Sequence, residues 1–135
     1  MKICVYANVV KDAQDRIRTP YGISQFRSYI TRHFITSDLP YNHPNVRATE
    51  GDIIVWAFRE NDSWYLLGDG FVVNKYKENG EWKFDIEGAR LYPRSVNLDE
   101  LSFAKDKKQS LNIGFELRWE EYQELIEKAS EPVVR

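Results

Sequence analysis

The sequence predicts an α+β domain: a strongly bent mixed sheet, or pseudo-barrel, of about five to six strands flanked by two main helices. Three observations predict it. Strand-like segments outnumber helical ones, and hairpin-type turn signals join the strands in the middle of the chain. One of those strands is interrupted by Gly68 and Gly70, the kind of interruption a bending sheet needs for a bulge or a close backbone approach.

The elements follow in order. Ile3 to Val10 is apolar enough for a buried strand, and Lys11 to Pro20 is a polar connection. Ser24 is placed to cap a helix in which Phe26, Ile30 and Phe34 recur every four residues. That helix stops before the Ser37–Pro44 region, which Pro40, Asn42 and Pro44 punctuate. Glu50-Gly51-Asp52 is a turn that launches a strand over Ile53 to Arg59. Asn61 and Asp62 turn the chain back into Trp64 to Asn74. Asn79-Gly80 is a hairpin signal. After it Trp82, Phe84 and Ile86 alternate with Lys83, Asp85 and Glu87, the period of a half-buried strand that Ala89 to Tyr92 extends past Gly88. Val96 to Leu101 reads as a short extended segment or turn. The last helix places Trp119, Tyr122, Ile126 and Ala129 on one stripe with Leu125 beside it. Its early glutamates and late Lys128 suit the helix dipole.

Composition sets the outer bounds. At 135 residues the chain fits one domain, 1–135, able to bury a core without staples. A hydrophobic share of 42% and a charged share of 30% describe a soluble globular chain rather than a disordered one. The longest uncharged apolar run, Ile53 to Phe58, is too short to span a bilayer. The N-terminal stretch reads as a strand, not a secretion signal. Cys4 in that strand reads as a buried structural thiol, and a cytoplasmic location is the expectation.

Net charge is −2, which argues against strong sequence-blind binding to DNA, since that depends on excess Lys and Arg releasing phosphate counterions. The charges are unevenly spread, however. Arg16, Arg18, Arg27 and Arg32 lie in a stretch without acids, and Lys105, Lys107 and Lys108 cluster against a single Asp106. The C-terminal helix instead carries Glu120, Glu121, Glu124, Glu127 and, just past its end, Glu131. A basic rim and an acidic back are compatible with weak capture of a phosphate chain, and equally with solvated faces.

Four segments, taken together, carry a resemblance. Leu101-Ser102-Phe103 leads into Lys105, Lys107 and Lys108, and the closing helix carries Glu121, Tyr122, Leu125 and Ile126. Tyr21-Gly22-Ile23 precedes the first helix. Gly51-Asp52 opens the Ile53–Trp56 strand, and Gly68 to Val73 returns. In their order along the chain they resemble the EVE domains, a branch of the PUA-like superfamily related to ASCH, SRA and YTH modules. Tyr21 stands where the family usually has tryptophan, the segment before the last helix is shorter than in many relatives, and the Ser37–Arg47 loop is longer.

The resemblance implies a non-catalytic nucleic-acid-binding module that holds one flipped, modified base (methylated or similar) in DNA or RNA. A nuclease or helicase partner would do the cutting in modification-dependent restriction. It implies a base pocket of Tyr21, Gly22, Ser24, Gln25, Trp56 and Phe103, with phosphate contacts from Arg27, Lys105 and Lys107, and no cofactor. Taken by residue type alone, Trp56, Phe58, Phe71 and Phe84 alternate on strands as core residues do, Phe103 serves equally as a loop anchor, and Ser24 as a helix cap. Flipping a base costs a few kcal/mol, and stacking on an aromatic face returns about 1–3 kcal/mol.

No GxSxG, HExxH, CxxC or phosphate-cradling glycine loop is present; Gly68-Asp69-Gly70 lacks both the further glycine and the helix behind it. His33 and His43, with one cysteine in the chain, do not make up a zinc site. Two other readings stay open. One is an ASCH-like amidohydrolase acting on modified nucleosides, using Lys105 or Lys107 with Glu116. The other is a domain for protein contacts alone.

Overall fold

The computed structural model describes residues 1–7, 10–11, 17–18, 48–60, 63–78, 81–107 and 115–131. Five strands form one sheet: β1 (Ile3–Ala7), β4 (Ile53–Glu60), β5 (Ser63–Glu78), β6 (Glu81–Asn97) and β7 (Phe115–Leu117). Their order is β6-β5-β4-β1-β7, with β1 parallel to β4 and every other pair antiparallel. Two short strands, β2 (Val10–Lys11) and β3 (Ile17–Arg18), pair separately. A 3-10 turn (Leu98–Glu100), a one-turn helix (Ala104–Lys107) and the C-terminal helix (Trp119–Ala129) complete the described elements.

The α+β class and a mixed sheet of five strands match the sequence expectation. The sheet is open, with β6 and β7 at its edges, and it does not close into a barrel. The expected first helix and the Ser37–Arg47 loop lie outside the described residues, as does the Asn79-Gly80 turn, although Glu78 and Glu81 on either side of that turn are paired. Within the described residues the C-terminal helix is the one helix longer than a single turn.

The central strands are buried on both faces, which is why they read as nearly continuous apolar runs. Ile3, Val5, Ile53, Val55 and Ala57 face one core, joined by Leu66, Tyr92, Val96, Leu98, Leu101, Phe103 and the helix residues Tyr122, Leu125 and Ala129. Cys4, Ile54 and Trp56 face the other, with Ala48, Leu67, Val72, Phe84 and Ile86. The expected burial of Cys4 is observed, and so is the inward alternation of Phe84 and Ile86. Phe71 departs from expectation: it lies exposed on β5 beyond the core.

Two sequence signals acquire a mechanical reason. Asp52 is buried, and its carboxylate accepts the Lys2 N–H at 2.8 Å and the Thr49 N–H at 2.9 Å. The Gly51-Asp52 turn thereby ties the start of β1 to the start of β4. Gly68 and Gly70 sit where β6 crosses β5 closely. A Cβ on Gly68 would overlap the carbonyl oxygen of Arg90, and one on Gly70 would lie 2.5 Å from an Ile86 methyl. The β5–β6 register shifts on both sides of this pair, bending the two long strands.

The C-terminal helix is held at three points. Arg94 donates to the Lys128 carbonyl at 3.2 Å and to Glu131 at 3.3 Å, while also bonding Glu100. Ser102 donates both its N–H and its hydroxyl to Glu124. Glu121 accepts the Arg118 N–H at 2.8 Å, capping the first turn from the third helical position. The buried stripe is therefore Tyr122, Leu125 and Ala129 with Glu121. Ile126 is half-buried, and Trp119, expected on that stripe, is 52% exposed.

Candidate functional site

Asp69, between the two glycines, projects into the face covered by the C-terminal helix. It is 5% exposed and gathers four donated hydrogen bonds. Arg90, its register partner on β6, donates from Nε at 2.7 Å and from Nη2 at 3.1 Å. The Tyr92 and Tyr122 hydroxyls each donate at 2.8 Å. Arg90 Nη2 also donates to the Tyr122 hydroxyl at 3.3 Å, and the guanidinium carbon lies 5.8 Å from the centre of the Tyr92 ring.

The electrostatics follow from this packing. Burial, and then the Asp69 charge, hold the Tyr92 hydroxyl well above its usual range. Burial and the bond to Asp69 push Tyr122 up to about 12. The bond to Asp69 raises Arg90 above even its ordinary high value. Both phenols therefore stay protonated and donating near neutral pH. The guanidinium is fixed, yet its side chain remains 54% exposed. Among the described residues, no partner is bonded to its Nη1.

Beside this cluster is a recess of about 340 Å³, lined by Arg90, Trp119, Tyr122, Gln123, Ile126 and Glu127. The volume lies at the small end of ligand pockets, enough for one planar ring system with a small attachment. The Trp119 and Tyr122 rings meet at 5.7 Å between centroids with their planes tilted by 42°, so they form an angled wall. Ile126 adds apolar surface. Among the described residues, the side chains of Gln123 and Glu127 are not hydrogen-bonded or ion-paired, so their polar atoms are available at the rim. Chemically the recess offers a stacking surface, one fixed donor, one amide and one carboxylate.

The residues expected from the sequence to form a pocket do not converge. Trp56 is fully buried on the face shared with Cys4 and Ile54, and Phe103 is 5% exposed in the core on the opposite face. The strand alternation that puts Trp56 on one side and the Leu101–Phe103 turn that enters the other keep them apart. Both are core residues here, so the placement of these two in one base pocket is corrected. Tyr21, Gly22, Ser24, Gln25 and Arg27 lie outside the described residues, as does Lys108. Lys105 is exposed on the one-turn helix, whose backbone also includes Lys107; the Lys107 side chain is outside the described set. Phe103 and Ser102 hold that turn in place, one through the core and one through Glu124. Glu116 is exposed on β7, and among the described residues it makes no ion pair with Lys105.

Sequence reasoning missed Asp69, Arg90 and the exposed Trp119. An acid held between two glycines in a strand was a usable signal for the first; the others emerge only from the pairing of β5 with β6. Among the described residues no cluster of His, Cys, Asp and Glu is arranged to hold a metal ion, and no helix is long and apolar enough to cross a membrane. Comparison with family models, curated proteins and solved structures gives no match for this chain.

Proposed function

We propose that this domain is a non-catalytic nucleic-acid-binding module that accepts a single flipped, modified base, with the architecture of the PUA-like EVE domains its four ordered segments resemble. The observation that carries the reading is the recess: an exposed indole set against a second ring, beside a guanidinium immobilised by a buried carboxylate. Exposed tryptophan is costly to leave in water, and stacking a base on it is worth about 1–3 kcal/mol. The fixed Arg90 donor and the Gln123 amide supply the hydrogen-bonding edge that orients a heterocycle, at little cost in side-chain ordering for the arginine. A methyl on the base adds apolar surface against Ile126 and Tyr122, worth on the order of 1 kcal/mol.

In this reading Lys105 and Lys107, on their anchored turn, and Arg27 contact phosphates, which position the strand without specifying it. A nuclease or helicase partner would act on the bound nucleic acid. The direct test uses single-stranded hexamers, in ribo and deoxy form, carrying N6-methyladenine, 5-methylcytosine or no modification. Titration calorimetry should show binding of a modified oligomer, its recovery unchanged, and loss of that binding in Trp119→Ala. Binding that survives Trp119→Ala but fails in Tyr21→Ala would move the base to the Tyr21–Gln25 segment. No binding to any oligomer would remove the nucleic-acid reading.

A further inference from the structure

The strand β6 spans 17 residues at one edge of the sheet, and among the described residues no strand pairs with its outer side. The opposite edge, β7, has only 3 residues. Along β6, alternate N–H and C=O groups point outward, a row complementary to a second extended backbone. Pro93 has no N–H, and the β5–β6 register skips from Leu91 to Val96, so the regular part of this edge is residues 81–91, with one kink at Gly88. The C-terminal helix turns the edge into a groove. Arg90 donates to the Tyr122 hydroxyl, and Arg94 to the Lys128 carbonyl, so the helix runs alongside β6 rather than across it. Among the described strands only β6, through Arg90, lines the recess beside that helix, so the recess opens at the sheet edge.

Charge narrows the occupant. Arg90 is matched by Asp69, and Arg94 by Glu100 and Glu131. Glu87 on β6 and Glu127 on the helix are exposed, and among the described residues neither has a charged partner. The groove is therefore negative and attracts a cationic chain. On the other face of the same strand Phe84 and Ile86 are buried, so an added strand meets an apolar row there. We infer that β6 takes up an extended basic segment of a partner polypeptide as a sixth strand. Lysine or arginine lies on the face of Glu87 and Glu127, and β-branched residues lie on the face of Phe84 and Ile86. In this mode main-chain hydrogen bonds supply affinity and alternate side chains supply selectivity. The edge serves this role whether or not the recess takes a base.

The experiment uses the full chain and acetylated, amidated octapeptides in which lysine, glutamine or glutamate alternates with valine. The lysine peptide should bind about tenfold or more tightly than the glutamate peptide, with glutamine between them. Backbone N-methylation at every second residue should abolish binding in one phase and be tolerated in the other, because only one row of amides faces β6. Bound peptide should slow hydrogen exchange within residues 81–91. Glu87→Lys combined with Glu127→Lys should weaken the lysine peptide about tenfold with the thermal midpoint unmoved, since both side chains are exposed. No binding, equal binding of the lysine and glutamate peptides, indifference to both methylation phases, or protection confined to other segments overturns the inference. A dimer in light scattering whose 81–91 amides are already slow without peptide would assign the edge to a second copy and overturn it as well.

Discussion

Asp69→Asn keeps the shape of the side chain and removes its charge, so it isolates what the carboxylate contributes. Four donors meet this group at 2.7, 2.8, 2.8 and 3.1 Å, from Arg90, Tyr92, Tyr122 and again Arg90. A hydrogen bond to a charged group is worth about 1.5–3 kcal/mol net. Arg90 is half-exposed and can return to water, so its two bonds are discounted heavily. The Tyr92 and Tyr122 hydroxyls are buried and cannot, and the new amide presents N–H groups where only acceptors fit. The loss sums to roughly 3–4 kcal/mol, in line with breaking a buried charged pair. For a domain of this length that corresponds to a fall on the order of 10 °C in Tm. Urea unfolding followed by far-ultraviolet circular dichroism measures it, with Tyr92→Phe as a partial version costing about 1–2 kcal/mol. If Asp69→Asn shifts stability by less than about 0.5 kcal/mol, the convergent carboxylate is not a structural hub and the reasoning fails.

Three further outcomes follow from the same packing. Gly68→Ala forces a methyl into the Arg90 carbonyl and should cost on the order of 3 kcal/mol in urea unfolding, whereas Gly51→Ala, strained only by its φ of +89°, should cost about 1 kcal/mol. Tyr122 titrates at about 12 in the fold against about 10 when unfolded, so its protonated form is favoured by folding. That stabilisation is complete below pH 10 and is lost as pH rises through 12. Tyr122→Phe should therefore be less stable at neutral pH, yet lose less stability than the parent between roughly pH 9 and pH 12 in pH-dependent unfolding, with Tyr92 supplying the remaining fall. Ser102→Ala removes the hydroxyl bond to Glu124 and should release the one-turn helix, seen as faster amide exchange over Ala104–Lys107 with a stability loss of about 1 kcal/mol.

Much of the fold was legible because its signals are local. The Gly51-Asp52 turn, the glycines of β5, the alternation of Phe84 and Ile86 and the C-terminal helix each depend on a few neighbouring residues, and each is present. What was not legible depends on register. Phe115–Leu117 becomes a strand because it finds the free edge of β1, with Phe115 opposite Val5. Trp119 looked like a core residue by helical spacing, but the helix rotates to bury Tyr122 toward Asp69, and the indole is left outside. Asp69 and Arg90 are 21 residues apart, and only the bulged pairing of β5 with β6 sets them side by side. Trp56 and Phe103, expected in one base pocket, are buried on opposite faces: strand parity sends Trp56 to one side, and the turn after Glu100 carries Phe103 into the other.

Nuclear magnetic resonance titration of the isotopically labelled domain with a modified hexamer interrogates the central claim at the level of single residues. Saturable shifts of the Trp119 indole N–H, the Gln123 side-chain amide and the Arg90 Nε–H, with Trp56 unmoved, are the expected result. Shifts confined to other residues, or no shifts at millimolar oligomer, would contradict a base-binding recess beside the C-terminal helix.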